Sequence, residues 1–189
     1  MATAAPPDTR ERILRATVDL IGREGVPAVT NRRVAGEAGV ALGSLTYHFP
    51  SQVDLLRESL LLYVGEEVVK QEKIAAELRR SEPSVEQIAA EVQRVVEEST
   101  NRIQQLAEIE LHLQAARDPA LREASQRCFD AYEGVAAAAL EMLGAPEAAR
   151  HARTIVALMY GMGLRRLGTG EDASDVAGSL LTVMRGIAP

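Results

Sequence analysis

Aromatic side chains are scarce in this chain: four Tyr, two Phe and no Trp make up 3% of its 189 residues. The core is therefore expected to be aliphatic, and a flat, stacked ligand would find few partners. Cys128 is the single cysteine, which excludes an intramolecular disulfide and suits a reducing cytoplasm. No apolar run approaches the roughly 18 residues that a membrane span needs. Met1 to Pro7 lacks the basic, apolar-core arrangement of a signal peptide and reads as a mobile Ala/Pro arm, so a cytoplasmic protein is expected. The three histidines, His48, His112 and His151, fall on different segments with no nucleophile beside a base, and an enzyme is not expected.

A basic excess is also missing. The net charge is −6, although many DNA-binding proteins are basic. Residues 1–60 carry seven Arg against seven acidic side chains, and residues 61–189 carry fourteen basic against twenty acidic ones, so the deficit lies in the second part.

What is present is helical. Apolar residues make up 47%, with Ala, Leu and Val dominant, Gly and Pro at segment ends and no sustained alternation, which gives an all-α class. Asp8 with Glu11 resembles a capping box for a first helix whose Ile13, Ala16, Thr17 and Leu20 form a stripe, closed by Gly25. Thr30 caps a second helix running from Asn31 to about Ala38, and Gly39 ends it. A third helix follows at a steep angle, so Thr30 to Phe49 reads as a helix-turn-helix. Val34, Ala35, Ala38, Val40 and Leu45 are its expected inward set. Leu42, Gly43, Ser44, Thr46, Tyr47 and His48 are the outward set that would meet a major groove.

The run GEAGVALGSLTYHFPSQVDLL, within a match from about Thr9 to Leu56, resembles the N-terminal domain of tetracycline-repressor (TetR-like) transcriptional regulators. The resemblance implies a three-helix helix-turn-helix domain, expected over residues 8–50, and a larger helical ligand-binding and dimerisation domain over 51–187. It implies a homodimer on a palindromic double-stranded DNA operator, most simply as a repressor, released by a small-molecule effector. Tyr47 and His48 would bind phosphates. The family usually places lysine where this chain has Gln52, so a phosphate contact there loses its charge and a shallower salt dependence is expected.

Between Ala41 and Phe49 there is no Arg, Lys, Asn or Gln, the side chains that grip guanine or adenine in pairs of hydrogen bonds. Ser44 and Thr46 are left for single hydrogen bonds, Leu42 or the Thr46 methyl for a thymine methyl, and Gly43 for close approach. Tyr47 alternatively packs beneath the next helix. Arg32 or Arg33 of the preceding helix could supply the guanine contact, and Arg10, Arg12 and Arg15 lie where a phosphate could be met, although a solvated face is the ordinary reading of such charges. A helical interaction module that no longer binds DNA is the competing reading, given the acidic balance and Gln52.

Ser51 caps a long fourth helix to about Arg80, apolar at both ends with Glu67 in its middle, facing either a solvent gap between the domains or a ligand cavity. After a break at Ser81 to Ser84, further helices follow. One from Arg102 carries Ile103, Leu106, Ile109 and Leu113 on one side, with Leu111 opposite. Glu108 and His112 have metal-ligand spacing but no third ligand nearby, so no metal or other cofactor is expected. Glu110 and His112 are open between a solvated face and an effector pocket. With Tyr63, Glu67, Phe129, Tyr132 and Met159 they are the candidate effector-binding residues, and Cys128 reads as a buried, inert thiol. Two wide stripes near the end contain Ile155, Met162, Val176, Leu180, Val183 and Met184, the candidate dimer interface; the same stripes could instead cover their own core.

Overall fold

The computed structural model describes residues 8–81, 87, 88, 90, 91, 93–95, 102–170 and 176–187. Most of these fall in α1 (Thr9–Glu24), α2 (Asn31–Ala38), α3 (Leu42–His48), α4 (Gln52–Ser81), α5 (Arg102–Arg117), α6 (Arg122–Met142), α7 (Ala148–Thr169) and α8 (Val176–Ile187). Residues 87, 88, 90, 91 and 93–95 contribute further helical backbone. No strand occurs among the described residues, so the chain is all-α. No helix among them is long and apolar enough to cross a membrane. The expected break at Ser81 to Ser84 and the slip at Ser99 to Asn101 fall largely outside the described residues. The chain divides into two compact units, residues 1–64 with 103–123 and residues 65–102 with 124–189.

In the first unit, Asp8 accepts a hydrogen bond from the Glu11 amide at 2.7 Å and starts α1, as the capping pattern predicts. Ile13, Leu20 and Ile21 are fully buried. Gly25 closes the helix at φ 81°. Gly22 meets α5: a Cβ there would lie 2.2 Å from the Ile103 carbonyl oxygen, so only glycine fits. The Thr30 hydroxyl accepts from the Arg33 amide at 3.4 Å. Gly39 sits in the left-handed region (φ 63°, ψ 42°), its amide bonded back to α2, and Val40 N closes the turn on Ala35 O at 3.0 Å. Arg12 reaches across from α1 and donates to the carbonyls of Ala38 (2.6 Å) and Gly39 (3.0 Å), satisfying the exposed end of α2. Leu45 and Phe49 anchor α3 from below, at 0% and 1% exposure.

Ser51 accepts from the Asp54 amide at 3.1 Å and opens α4, which at 1.5 Å per residue is roughly 45 Å long. Its N-terminal part contributes Leu55, Leu60 and Val64 to the first core. Asp118 holds the segment after α5: it accepts from the Ala120 amide at 3.0 Å and from Arg57 of α4 at 2.9 and 3.0 Å.

The face of α5 differs from expectation. Ala107, Glu108, Leu111 and Ala115 are the buried residues, whereas Ile103 and Leu113 are 38% and 46% exposed. Ala107 and Ala115, one turn either side of the fully buried Leu111, let neighbouring elements approach that face closely.

The second unit is built on α4 from residue 65 onward, on α6, α7 and α8, and on residues 87, 88, 90, 91 and 93–95. Ile74, Ala75, Leu78, Val95, Val135 and Ala138 form one packed cluster. The buried run Ala136–Ala139 keeps the helices around α6 close. Gly144 (φ 72°) follows α6 and Gly170 (φ 72°) ends α7. Glu147 takes φ 49° at the N-cap of α7.

Candidate nucleic-acid interface and effector cavity

The outward set of α3 is largely exposed. Tyr47 is 82% and Leu42 48% exposed, Gly43 and Thr46 are exposed, and Ser44 and His48 are half-buried. Such exposure overturns the reading in which Tyr47 packs beneath α4. Tyr47 and His48 meet edge-on, ring centroids 5.4 Å apart. The Thr46 hydroxyl donates back to the carbonyls of Leu42 (3.2 Å) and Gly43 (3.1 Å), leaving its methyl and oxygen lone pairs outward. The Gln52 amide donates to the Val29 carbonyl, fixing a side chain that the sequence offered to a phosphate.

Charge placement is where the arginines depart from expectation. Arg33 lies on Glu24, Arg15 on Glu11 and Arg23 on Glu37. Arg10 pairs with Glu58 and stacks over Phe49 at 5.4 Å, while Arg12 is fixed to the end of α2. The Arg33 bond pulls the Glu24 carboxyl below its usual range. Arg10, Arg12, Arg15 and Arg33 are thus held by groups of their own chain, because each lies within reach of a carboxylate or helix-end carbonyl distant in sequence or one turn away. Among the described residues no hydrogen bond or ion pair holds Arg32, which is exposed at the start of α2 beside Thr30.

The second unit contains a narrow, largely apolar cavity of about 40 Å³ with an open mouth. Leu78, Ile88, Glu91, Val95, Tyr132, Val135, Ala136, Ala139, Ile155, Val156, Met159, Leu180 and Met184 line it. Tyr132 and Met159 were candidate effector residues and are part of this wall. Glu67 stands behind Tyr132, whose hydroxyl donates to Glu67 Oε1 at 2.8 Å. With a side chain 12% exposed, Glu67 does not face a solvent gap. Phe129 packs on Tyr160, centroids 5.0 Å apart, and is not among the lining residues.

Tyr63, Glu110 and His112 belong to the first unit and do not line this cavity. The Tyr63 hydroxyl lies 3.5 Å from the Gln104 carbonyl. Burial lowers the His112 pKa to about 4, so its ring is neutral at pH 7. Three expected dimer residues are interior instead: Ile155, Leu180 and Met184 are 5%, 2% and 1% exposed and face the cavity. Met162, Val176 and Val183 keep partial exposure, and Leu164, which the stripe pattern left out, is 60% exposed. Sequence patterning also left out Glu91, the one charged residue among the described lining side chains; a lone acid beside Ile88 and Val95 was its only signal.

Comparison with known proteins decides the family. Residues 13–59 match the family described as bacterial regulatory proteins, tetR family, and residues 83–189 match the tetracyclin repressor-like C-terminal domain. The chain belongs to the TetR family. Within that family it is 31% identical over 144 residues to the HTH-type transcriptional repressor KstR of Rhodococcus jostii (strain RHA1), covering 76% of this chain and 58% of the relative. Over 60 residues it is 42% identical to KstR of Mycobacterium tuberculosis, covering 32% and 27%. The TetR-family chain thus matches less than two thirds of the length of these curated relatives. Among solved structures it resembles the multidrug binding protein EbrR complexed with imidazole, with TM-score 0.67, 28% identity and 97% of each chain covered. It likewise resembles a TetR-family member, SCO1917 of Streptomyces coelicolor A3, with TM-score 0.68, 28% identity, and 97% and 99% covered.

Proposed function

We propose that the protein is a DNA-binding transcriptional repressor that acts as a homodimer on a palindromic operator and is released by a small molecule held in the cavity of the second unit. Residues 8–50 would serve as the DNA-binding part and 51–187 as the effector-binding and dimerising part. The observation that carries the reading is the exposed row Leu42, Gly43, Thr46 and Tyr47 on a short helix pinned from beneath by Leu45 and Phe49. A rigid helix with a small-residue outer face suits a major groove. With no bidentate base reader on that face, direct readout is sparse and DNA shape contributes to the choice of site.

Dimerisation is assigned to the outer faces of α7 and α8, where Leu164 and Val183 are exposed and Met162 and Val176 half-buried. Two recognition helices spaced one DNA turn apart, about 34–36 Å, would engage the operator together. An effector would favour the subunit arrangement with another spacing, and α4, which contributes to both units, would carry the change. The complex of EbrR with imidazole supports a small-molecule site in this fold. The test is fluorescence anisotropy of duplexes selected from a random library, across a salt series. Saturable binding that weakens with salt supports the reading; no binding at low salt favours a helical interaction module instead.

A further inference from the structure

We infer that the cavity takes an aliphatic molecule headed by a hydrogen-bond donor, an ammonium or a hydroxyl, and rejects anions. The inference rests on the effector-site reading above. Walls of Leu78, Val95, Val135, Ile155 and Leu180 offer branched aliphatic surface, and Tyr132 is the single aromatic among the described lining residues. A chain of methylenes matches such a surface better than a flat ring system, which gains most from aromatic faces.

No Lys, Arg or His occurs among the described lining residues, and the one lining carboxylate, Glu91, is taken up by Arg94, whose Nε donates to Oε2 at 3.1 Å and whose Nη2 donates to Oε1. Tyr132 connects the apolar wall to an acceptor-rich cluster: its hydroxyl and the Gln71 amide both donate to Glu67 Oε1, at 2.8 and 2.6 Å. Gln71 is 2% exposed, and its own Oε1 is buried without a hydrogen-bond partner. Lys70 Nζ lies 3.8 Å from Glu67, beyond hydrogen-bond reach. A donor head at the wall meets the Tyr132 oxygen, which can only accept because its own proton is committed to Glu67. A carboxylate or phosphate head would be stripped of water with no donor of the described wall free to receive it, the Tyr132 proton being committed to Glu67 and Arg94 to Glu91.

Calorimetric titration of the full chain with octylamine, 1-octanol and octanoate, which share one alkyl chain and differ in head group, tests this. Octylamine and octanol are expected to bind at least about tenfold more tightly than octanoate, equal to about 1.4 kcal/mol. In Tyr132→Phe the preference for octylamine over octanoate should shrink several-fold while the fold, followed by circular dichroism, is kept. Octanoate binding as well as octylamine, with both displaced by the cavity-filling variants Ile155→Trp or Leu180→Phe, overturns the ligand class and leaves the effector-site reading standing. Binding of any probe unaffected by both filling variants, or no binding by any probe, overturns the site and the class together.

Discussion

Arg33 forks onto Glu24, Nη1 donating to Oε2 at 2.8 Å, while its neighbour Arg32 extends into solvent with no partner among the described residues. Adjacent positions at the start of α2 therefore have opposite fates. One cation is neutralised within the domain, and the other is available to an external phosphate or base edge.

Replacing Arg32→Ala is expected to weaken DNA binding by roughly tenfold and to lower the slope of log affinity against log salt by about one. The double variant Glu24→Ala/Arg33→Ala, which removes the internal pair as a unit, should leave that slope nearly unchanged. Anisotropy titrations at several salt concentrations read both.

Tyr47→Ala and Ser44→Ala separate positioning from readout. Tyr47 is expected to meet a phosphate, so its truncation should weaken every duplex similarly. Ser44 is expected to face the bases, so its truncation should alter preference at one or two positions, by about 1 kcal/mol each. Competition against a panel of single-substitution operators distinguishes the two patterns.

The turn between α2 and α3 depends on Gly39 and on Arg12. Gly39→Ala places a Cβ in the left-handed region and 3.2 Å from Arg12 Nη2, at a cost of about 1 kcal/mol or more. Arg12→Ala leaves the carbonyls of Ala38 and Gly39 without that donor and should cost about 1 to 2 kcal/mol. Gly22→Ala is the severest of the three, about 3 kcal/mol, because its Cβ meets backbone at Ile103 and not a movable side chain. Urea unfolding of each variant checks the order.

Much of this organisation could be read before any coordinates, and the reasons are local. Asp8, Thr30, Gly39 and Ser51 act on amides or carbonyls within a few residues, so caps and turns follow from short patterns. The arginine pairings could not be read, since Arg12 reaches 26 residues to Ala38 and Arg10 reaches Glu58 across the fold. Nor could apolar periodicity assign Ile155, Leu180 and Met184. A stripe facing its own core and one facing a second subunit have the same spacing, and only burial distinguishes them. Glu110, a charge within an apolar stripe, and His112 beside it are expected at the same site as the aromatic Tyr132, but they belong to the other unit, which sequence spacing cannot reveal.

His112 gives a pH signature. Burial disfavours its charged form and lowers its pKa from 6.5 to about 4. The unfolded chain therefore binds this proton at higher pH than the folded chain does. The His112 contribution is intact above about pH 6.5 and is lost progressively as pH falls toward 4, by about 2 kcal/mol after discounting the part of the ring still reached by water. Unfolding free energies measured at pH 7.5, 6 and 5 should fall less steeply in His112→Gln.

The most direct test of the central claim is selection of duplexes from a random library by the full chain, followed by sequencing and determination of the protein-to-DNA ratio by analytical ultracentrifugation. The account predicts an enriched inverted repeat whose half-sites lie a whole number of DNA turns apart, bound by an even number of chains. Enrichment of a single unrepeated site by one chain, or no enrichment at low salt, would contradict it.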